Sequence, residues 1–486
     1  MDAATHSRAG TLTTRRVVFL VIAAAAPLTA IVGNVPLALV YGNGAGLPVA
    51  FALACVVLLC FSVGYAAMSR RVVNTGAFYT YVGCGLGRPP AIGAGYLAVV
   101  SYTALTTGLA GAVGYFVHLV LRAVGVHIPW GWPTIVALVL VATLGYRSVA
   151  LSAKVVGVLM SAELAVVALM DVGILLHKGF AALPSASLSP GQALAGSLGI
   201  GLMFAFTSFV GFESAALYGE ETADPRRSVP RATYVALASI GVFYFVTAWL
   251  TVGAIGVPQT RTVASRDPGT LLFDIADRNA GTTVSSIMAI LLCTSLLAAM
   301  LAFHNVASRY LFALGRDGVL PSPLGRYHTR HLSPHIASLS VSTVSAVVVA
   351  AFAVTGLDPY LTLAASMIGL STLGVLLLQG MAAVSVVAFF VRRREGNYGR
   401  TVVVPAIGAI GLAVGFVLSA VHFRTLIGTD NALVGNLPWL LAAVVLAGLG
   451  AGLWLRGTRP RPSPQVVDSF LERPERVPVT PGARGH

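Results

Sequence analysis

The sequence predicts an all-α, polytopic membrane protein of twelve transmembrane helices, the first and sixth of them discontinuous. Three observations lead there. Of 486 residues, 56% are hydrophobic and only 10% charged, with a mean hydropathy of +0.84, far from the composition of soluble globular domains. Apolar runs repeatedly reach the roughly 20 residues that a helix needs to cross a bilayer. Two of these runs are interrupted where a plain membrane helix would continue, one between Pro27 and Pro36 and one at Gly211 and Glu213.

The runs fall at roughly 17–41, 47–68, 91–121, 132–145, 149–176, 191–221, 232–257, 281–314, 335–355, 361–391, 402–423 and 437–456, the fourth being short. Basic residues gather in clusters between them. The formal net charge of +14 therefore has a topological meaning and leaves no single patch for nucleic acid. With the N-terminus in the cytoplasm, Arg15, Arg16, Arg70, Arg71, Arg147, Arg227, Arg316 and Arg392 to Arg394 share one side. The other side keeps Arg122, Lys178, Arg261, Arg266, Arg278 and Arg424. That asymmetry puts both termini inside.

Residues 1–16 read as a polar cytoplasmic tail with no signal-peptide cleavage site after it, and residues 457–486 as a disordered cytoplasmic tail, a solvated end that can touch anionic lipid. The four cysteines, Cys55, Cys60, Cys84 and Cys293, show neither disulfide nor metal spacing. No metal and no cofactor is implied.

In the first run Pro27 removes a backbone donor, and Gly33, Asn34 and Pro36 follow, so unwinding is expected near residues 29–34; a plain proline kink is the alternative. In the sixth, Gly211 ends one half-helix and Glu213 enters the first turn of the next, where the helix dipole favours negative charge. The alternative there is a kinked helix with a capping glutamate. The two interrupted runs are five spans apart, and an odd number of spans reverses orientation. Spans one to five (17–176) and six to ten (177–391) therefore read as inverted repeats, each opening with a broken helix, with spans eleven and twelve (392–456) accessory. Between spans two and three, the polar stretch from Ser69 to Pro90 is expected to form a short cytoplasmic element with Phe78, Tyr79 and Tyr81 at the membrane interface.

The stretch GFESAALYGEETADPRRSVPRA, beginning at Gly211, and FHNVASRYLFALGRDGVLP, beginning at Phe303, resemble the amino acid–polyamine–organocation (APC) superfamily, and the similarity runs through spans one to ten. The resemblance implies a bacterial plasma-membrane permease with a LeuT-like five-plus-five inverted-repeat fold. It further implies alternating access to a small-molecule substrate, an amino acid or related amine, coupled to protons or exchanged. Within the motif, Asp224 and Pro225 read as a helix N-cap and first-turn pair, with Arg226, Arg227 and Arg231 offsetting Glu220 and Glu221.

Carried over position by position, the family's unwound stretch in span one falls at Thr29, Ala30, Ile31, Val32 and Gly33, whose amides would hold a substrate carboxylate. Ala30 and Ile31 stand where relatives carry glycine, which narrows the approach to the backbone and gives weight to an amine or polyamine such as putrescine. In span six, Thr207, Ser208, Phe209, Val210 and Gly211 would offer carbonyls to a substrate ammonium, with Phe209 as an apolar or cation–π wall and Glu213 gating below. Tyr102 in span three and Phe303 in span eight align with pocket and gating aromatics. Core packing is the competing role for each aromatic.

Glu163 lies nine residues after Lys154 in span five, where the family carries an ionisable residue facing the ion site of its sodium-coupled relatives. A carboxylate in a low-dielectric surround holds its proton more tightly than in water, so Glu163 is the expected proton carrier. A hydrogen bond between helices, or a pairing with His304, is the structural alternative. His304 is itself a candidate to share that proton. Asp171, nearer the outer end, is expected to meet water, and Ser308 is a single neutral oxygen for sodium without a convincing partner. The reading is a proton-coupled importer of an amino acid or amine, beside a polyamine importer or exchanger. A nutrient sensor that binds without net transport is the alternative from another class. No metal-ligand cluster, phosphate loop or nucleophile and base pair supports an enzyme, and no oligomeric state is implied.

Overall fold

The structure, a computed structural model, describes residues 13–72, 77–147, 153–214, 224–328, 331, 333–394, 396–424 and 432–458. The helices that shape it are Thr14–Ala24 (α1), Pro27–Tyr41 (α2), Leu47–Ser69 (α3), Ala77–Leu86 (α4), Arg88–Ala123 (α5), Gly131–Tyr146 (α6), Ala153–Lys178 (α7) and Leu198–Phe209 (α8). They continue with Pro225–Ile255 (α9), Leu271–Ala280 (α10), Thr282–Arg316 (α11), His335–Thr355 (α12), Ala365–Arg393 (α13), Val404–Val421 (α14) and Leu437–Thr458 (α15). Among the described residues, ten helical stretches are long and apolar enough to cross a membrane. Two shorter apolar helices, Gly131–Tyr146 and Leu198–Ser214, fall where spans four and six are expected.

The long α5 is the central rod, and α11, α13 and α15 pack along it. Its glycines let them come close: a Cβ on Gly108 would lie 2.8 Å from Ile368, and one on Gly111 would lie 2.9 Å from Leu363. Small residues at such crossings give helices in lipid the dispersion contact that burial from water cannot supply. At the start of α9, Asp224 accepts from the Arg227 N–H at 3.3 Å with Pro225 in the first turn, as the motif predicts. Glu220 and Glu221 lie outside the described residues, as do residues 1–12 and 459–486.

The first break lies earlier than residues 29–34. Ala25 follows α1, Ala26 takes the left-handed conformation (φ 44°, ψ 69°), and Pro27 opens α2. Proline is at home in the first turn of a helix, where no N–H is needed, and it disfavours helical geometry in the residue before it. Unwinding therefore precedes Pro27, and Thr29, Ala30, Ile31, Val32 and Gly33 are helical. The second break falls where glycine predicts it. After α8, Val210 is extended (φ −59°, ψ 130°), Gly211 has φ +114°, and residues 212–214 form one tight turn.

A second correction concerns α4. Phe78 and Tyr81 are buried in protein rather than at the interface, their rings 6.1 Å from Phe61 and 5.4 Å from Tyr65 respectively. An aromatic groove on α3 buries these rings more fully than headgroups would.

Candidate functional site

The two breaks meet. Gly211 sits so close to the end of α1 that a Cβ on it would fall 2.6 Å from the Ala24 carbonyl oxygen. Beside this junction lies a cavity of about 300 Å³, bounded by α1 from Leu20 to Ala24, α7 from Val156 to Glu163, α11 from Ser295 to Ala313, and Tyr102 of α5. The walls are mainly alanine, leucine, valine and methionine, broken by a few polar groups.

Glu213 is held by its own break. One carboxylate oxygen accepts from the Tyr102 hydroxyl at 2.7 Å, and the other from the Gly211 N–H at 2.9 Å. Its carbonyl accepts from Tyr65 at 2.7 Å. Tyr102 is fixed in turn between Phe303 (centroids 6.1 Å, planes 15° apart) and Tyr310 (5.9 Å, 10°). Packing and pocket lining are thus one role for Tyr102 and Phe303, because the stacked rings form the cavity wall.

Glu163 faces two other helices. Its carboxylate lies beside the Ser295 hydroxyl on α11 and the backbone N–H of Leu28, and Thr29 donates to Ser295 Oγ at 2.9 Å. Leu28 is in the first turn of α2, where N–H groups have no partner within the helix. Glu163 therefore faces the first turn of α2 from α7, at the favourable end of its dipole, while lining the cavity. Tyr244 of α9 stands close by, its hydroxyl 3.5 Å from the Ala25 carbonyl.

The structure brings together Tyr102, Glu163, Gly211, Glu213 and Phe303 around one cavity. Thr29, Ala30, Ile31, Gly33, Thr207, Ser208 and Phe209 do not line it. Several of them are tied to other elements. Asn34 donates to Ser208 at 3.0 Å, Tyr360 to the Gly33 carbonyl at 2.9 Å, Thr207 bonds Thr372, and Phe209 packs 5.4 Å from Tyr244. His304 does not pair with Glu163. One residue past Phe303 turns it about 100° around the helix, so its Nε2 meets the Ser338 carbonyl at 3.1 Å and Ser342 at 2.9 Å. Asp171 is 8% exposed and accepts from Thr247 at 2.6 Å, so it does not face water as expected. Ser308 bonds the His304 carbonyl of its own helix at 2.8 Å.

Sequence reasoning missed Ser295, Asn305 and Arg309, all cavity-lining. Helical phase gives the signal: Phe303, Val306, Tyr310 and Ala313 recur at helix spacing on one face of α11, and Arg309 sits within that face. Among the described residues, no three His, Cys, Asp or Glu side chains converge to hold a metal ion.

Residues 12–449 match the family described as amino acid permease. The branched-chain amino acid permease BcaP of Bacillus subtilis is 24% identical over 427 residues, 83% of this chain and 85% of the relative. An uncharacterized transporter of Mycobacterium tuberculosis is 30% identical over 390 residues, 77% and 78% of the two chains. The low-affinity putrescine importer PlaP of Escherichia coli is 28% identical over 309 residues, 61% and 66%.

Proposed function

Since the chain belongs to the amino acid permease family of the APC superfamily, we propose that it imports an amino acid with an apolar side chain across the bacterial plasma membrane by alternating access, with Glu163 carrying a coupling proton. At the coarser level it is a multi-pass membrane transporter of the amino acid and amine class. In this reading twelve spans form two inverted repeats, 17–176 and 177–391, with 392–456 accessory and the tails 1–16 and 457–486 cytoplasmic. The cavity then faces the cytoplasm, and rocking of the half-helices exposes the closed half to the outside.

One observation carries the coupling: Glu163 faces the cavity and at the same time stands beside the first turn of α2. Ionised, it complements the helix dipole; protonated, it gives up that charge and loosens the tie between α7 and α2. Proton occupancy and the position of a half-helix are thereby linked. The aliphatic walls support an apolar side chain, and Arg309, a cavity-lining and exposed cation, supports a substrate carboxylate over a second ammonium.

In vesicles containing the purified protein, Glu163→Gln should abolish pH-gradient-driven uptake of labelled L-leucine while counterflow stays measurable. Normal gradient-driven uptake by this variant removes Glu163 from the coupling role. Putrescine uptake that leucine does not compete for would favour the amine reading, and binding without flux would favour a sensor.

A further inference from the structure

One buried carboxylate has no part in that scheme. Asp171 follows Glu163 by eight residues on α7, about 12 Å farther from the cytoplasmic end at 1.5 Å per residue. It is 8% exposed, one oxygen accepts from the Thr247 hydroxyl at 2.6 Å, and the other, Oδ1, is buried with no hydrogen-bond partner. A buried carboxylate left ionised with one donor is costly by several kcal/mol. A proton on Oδ1 removes that cost.

The surroundings favour a proton over a larger cation. α9 presents Thr247 and Tyr244 to this stretch. On α10, packed on the other side, Asp274, Asp277 and Arg278 are exposed, and Gly173 abuts the Asn279 backbone. At the end of α7, His177 bonds the Gly173 carbonyl and Lys178 the carbonyls of Gly253 and Ala254. Among the described residues no cation pairs with Asp171, and two side chains supply too few oxygens to coordinate a metal ion. Thr247 holds Asp171, and one turn earlier on α9 the Tyr244 hydroxyl donates to the Ala25 carbonyl at the first break at 3.5 Å.

We infer that Asp171 is a second proton-binding site, held in place by Thr247, and that it takes up and releases a proton in each transport cycle. The proton adds to Oδ1 to give the neutral acid, and its release returns the carboxylate. The inference rests on Glu163 as the proton carrier.

The experiment uses the full chain in vesicles with an interior pH dye. Labelled L-leucine drives uptake, and leucine-for-leucine counterflow provides the proton-independent readout. Asp171→Asn should slow leucine-driven acidification at least tenfold and counterflow less than threefold, and Asp171→Glu should restore at least half of the acidification. Thr247→Val, which keeps the side-chain shape, should slow acidification about threefold more than counterflow. Acidification at the wild-type rate in Asp171→Asn overturns the inference, as does an equal loss of acidification and counterflow in both Asp171→Asn and Thr247→Val. If the wild-type protein moves leucine without protons, it is the coupling reading that fails.

Discussion

The two helix breaks touch, yet opposite chemistry makes them. The break after α8 rests on a glycine at φ +114° and is capped by Glu213, two residues on, so its donor and acceptor belong to one short piece of chain. The break between α1 and α2 rests on Pro27 and on an alanine held at φ 44°, and the carboxylate at its first turn, Glu163, is supplied by α7. A cap carried within the same segment moves with it and stays made. A cap supplied by another helix is made or lost as the helices shift, which suits Glu163 to coupling and Glu213 to holding the site's shape.

The sharpest way to break this contrast is Gly211→Ala. Only glycine adopts φ +114° readily, at a cost to other residues of about 1–3 kcal/mol, and the new Cβ would also press on the Ala24 carbonyl at 2.6 Å. Leucine uptake should fall more than tenfold and the thermal midpoint should drop. Wild-type uptake by this variant would mean that the second break is not fixed by its glycine.

A smaller pair of effects sharpens the difference between the caps. Tyr102→Phe removes a donor to Glu213, and such a hydrogen bond contributes about 1 kcal/mol. Stability should fall while the number of protons moved per leucine stays the same. Ser295→Ala removes the hydroxyl beside Glu163 and the acceptor for Thr29. It should lower stability less but slow pH-driven uptake about threefold more than counterflow. Reversed outcomes would exchange the roles of the two carboxylates.

The same contrast explains what could be read from the chain. Gly211, Glu213, Asp224 and Pro225 act within a few residues of one another, so their geometry follows from local rules of capping and chirality. The spans follow from apolar length. The first break was misplaced because a proline marks a helix start as readily as a kink, and only the packing of Gly211 against Ala24 decides between them. The partners of Glu163 and Asp171 are distant in sequence, on α2, α11 and α9. No local pattern names them. His304 and Arg309 differ only in helical phase, which was available but yields to whichever residue looks more chemically active.

The smallest effect tests the first break directly. Ala26 carries a left-handed backbone that costs an L-residue roughly 1–2 kcal/mol, while a glycine there loses about 0.5–1 kcal/mol through the freedom it has when unfolded. The two terms nearly offset, so Ala26→Gly should leave the thermal midpoint unchanged or slightly raised. If the first break is defined by proline and by the cap from α7, pH-driven leucine uptake should stay within twofold of wild type. A large loss of uptake would show that the alanine itself stiffens the junction, and that the first break depends on its own backbone as the second does.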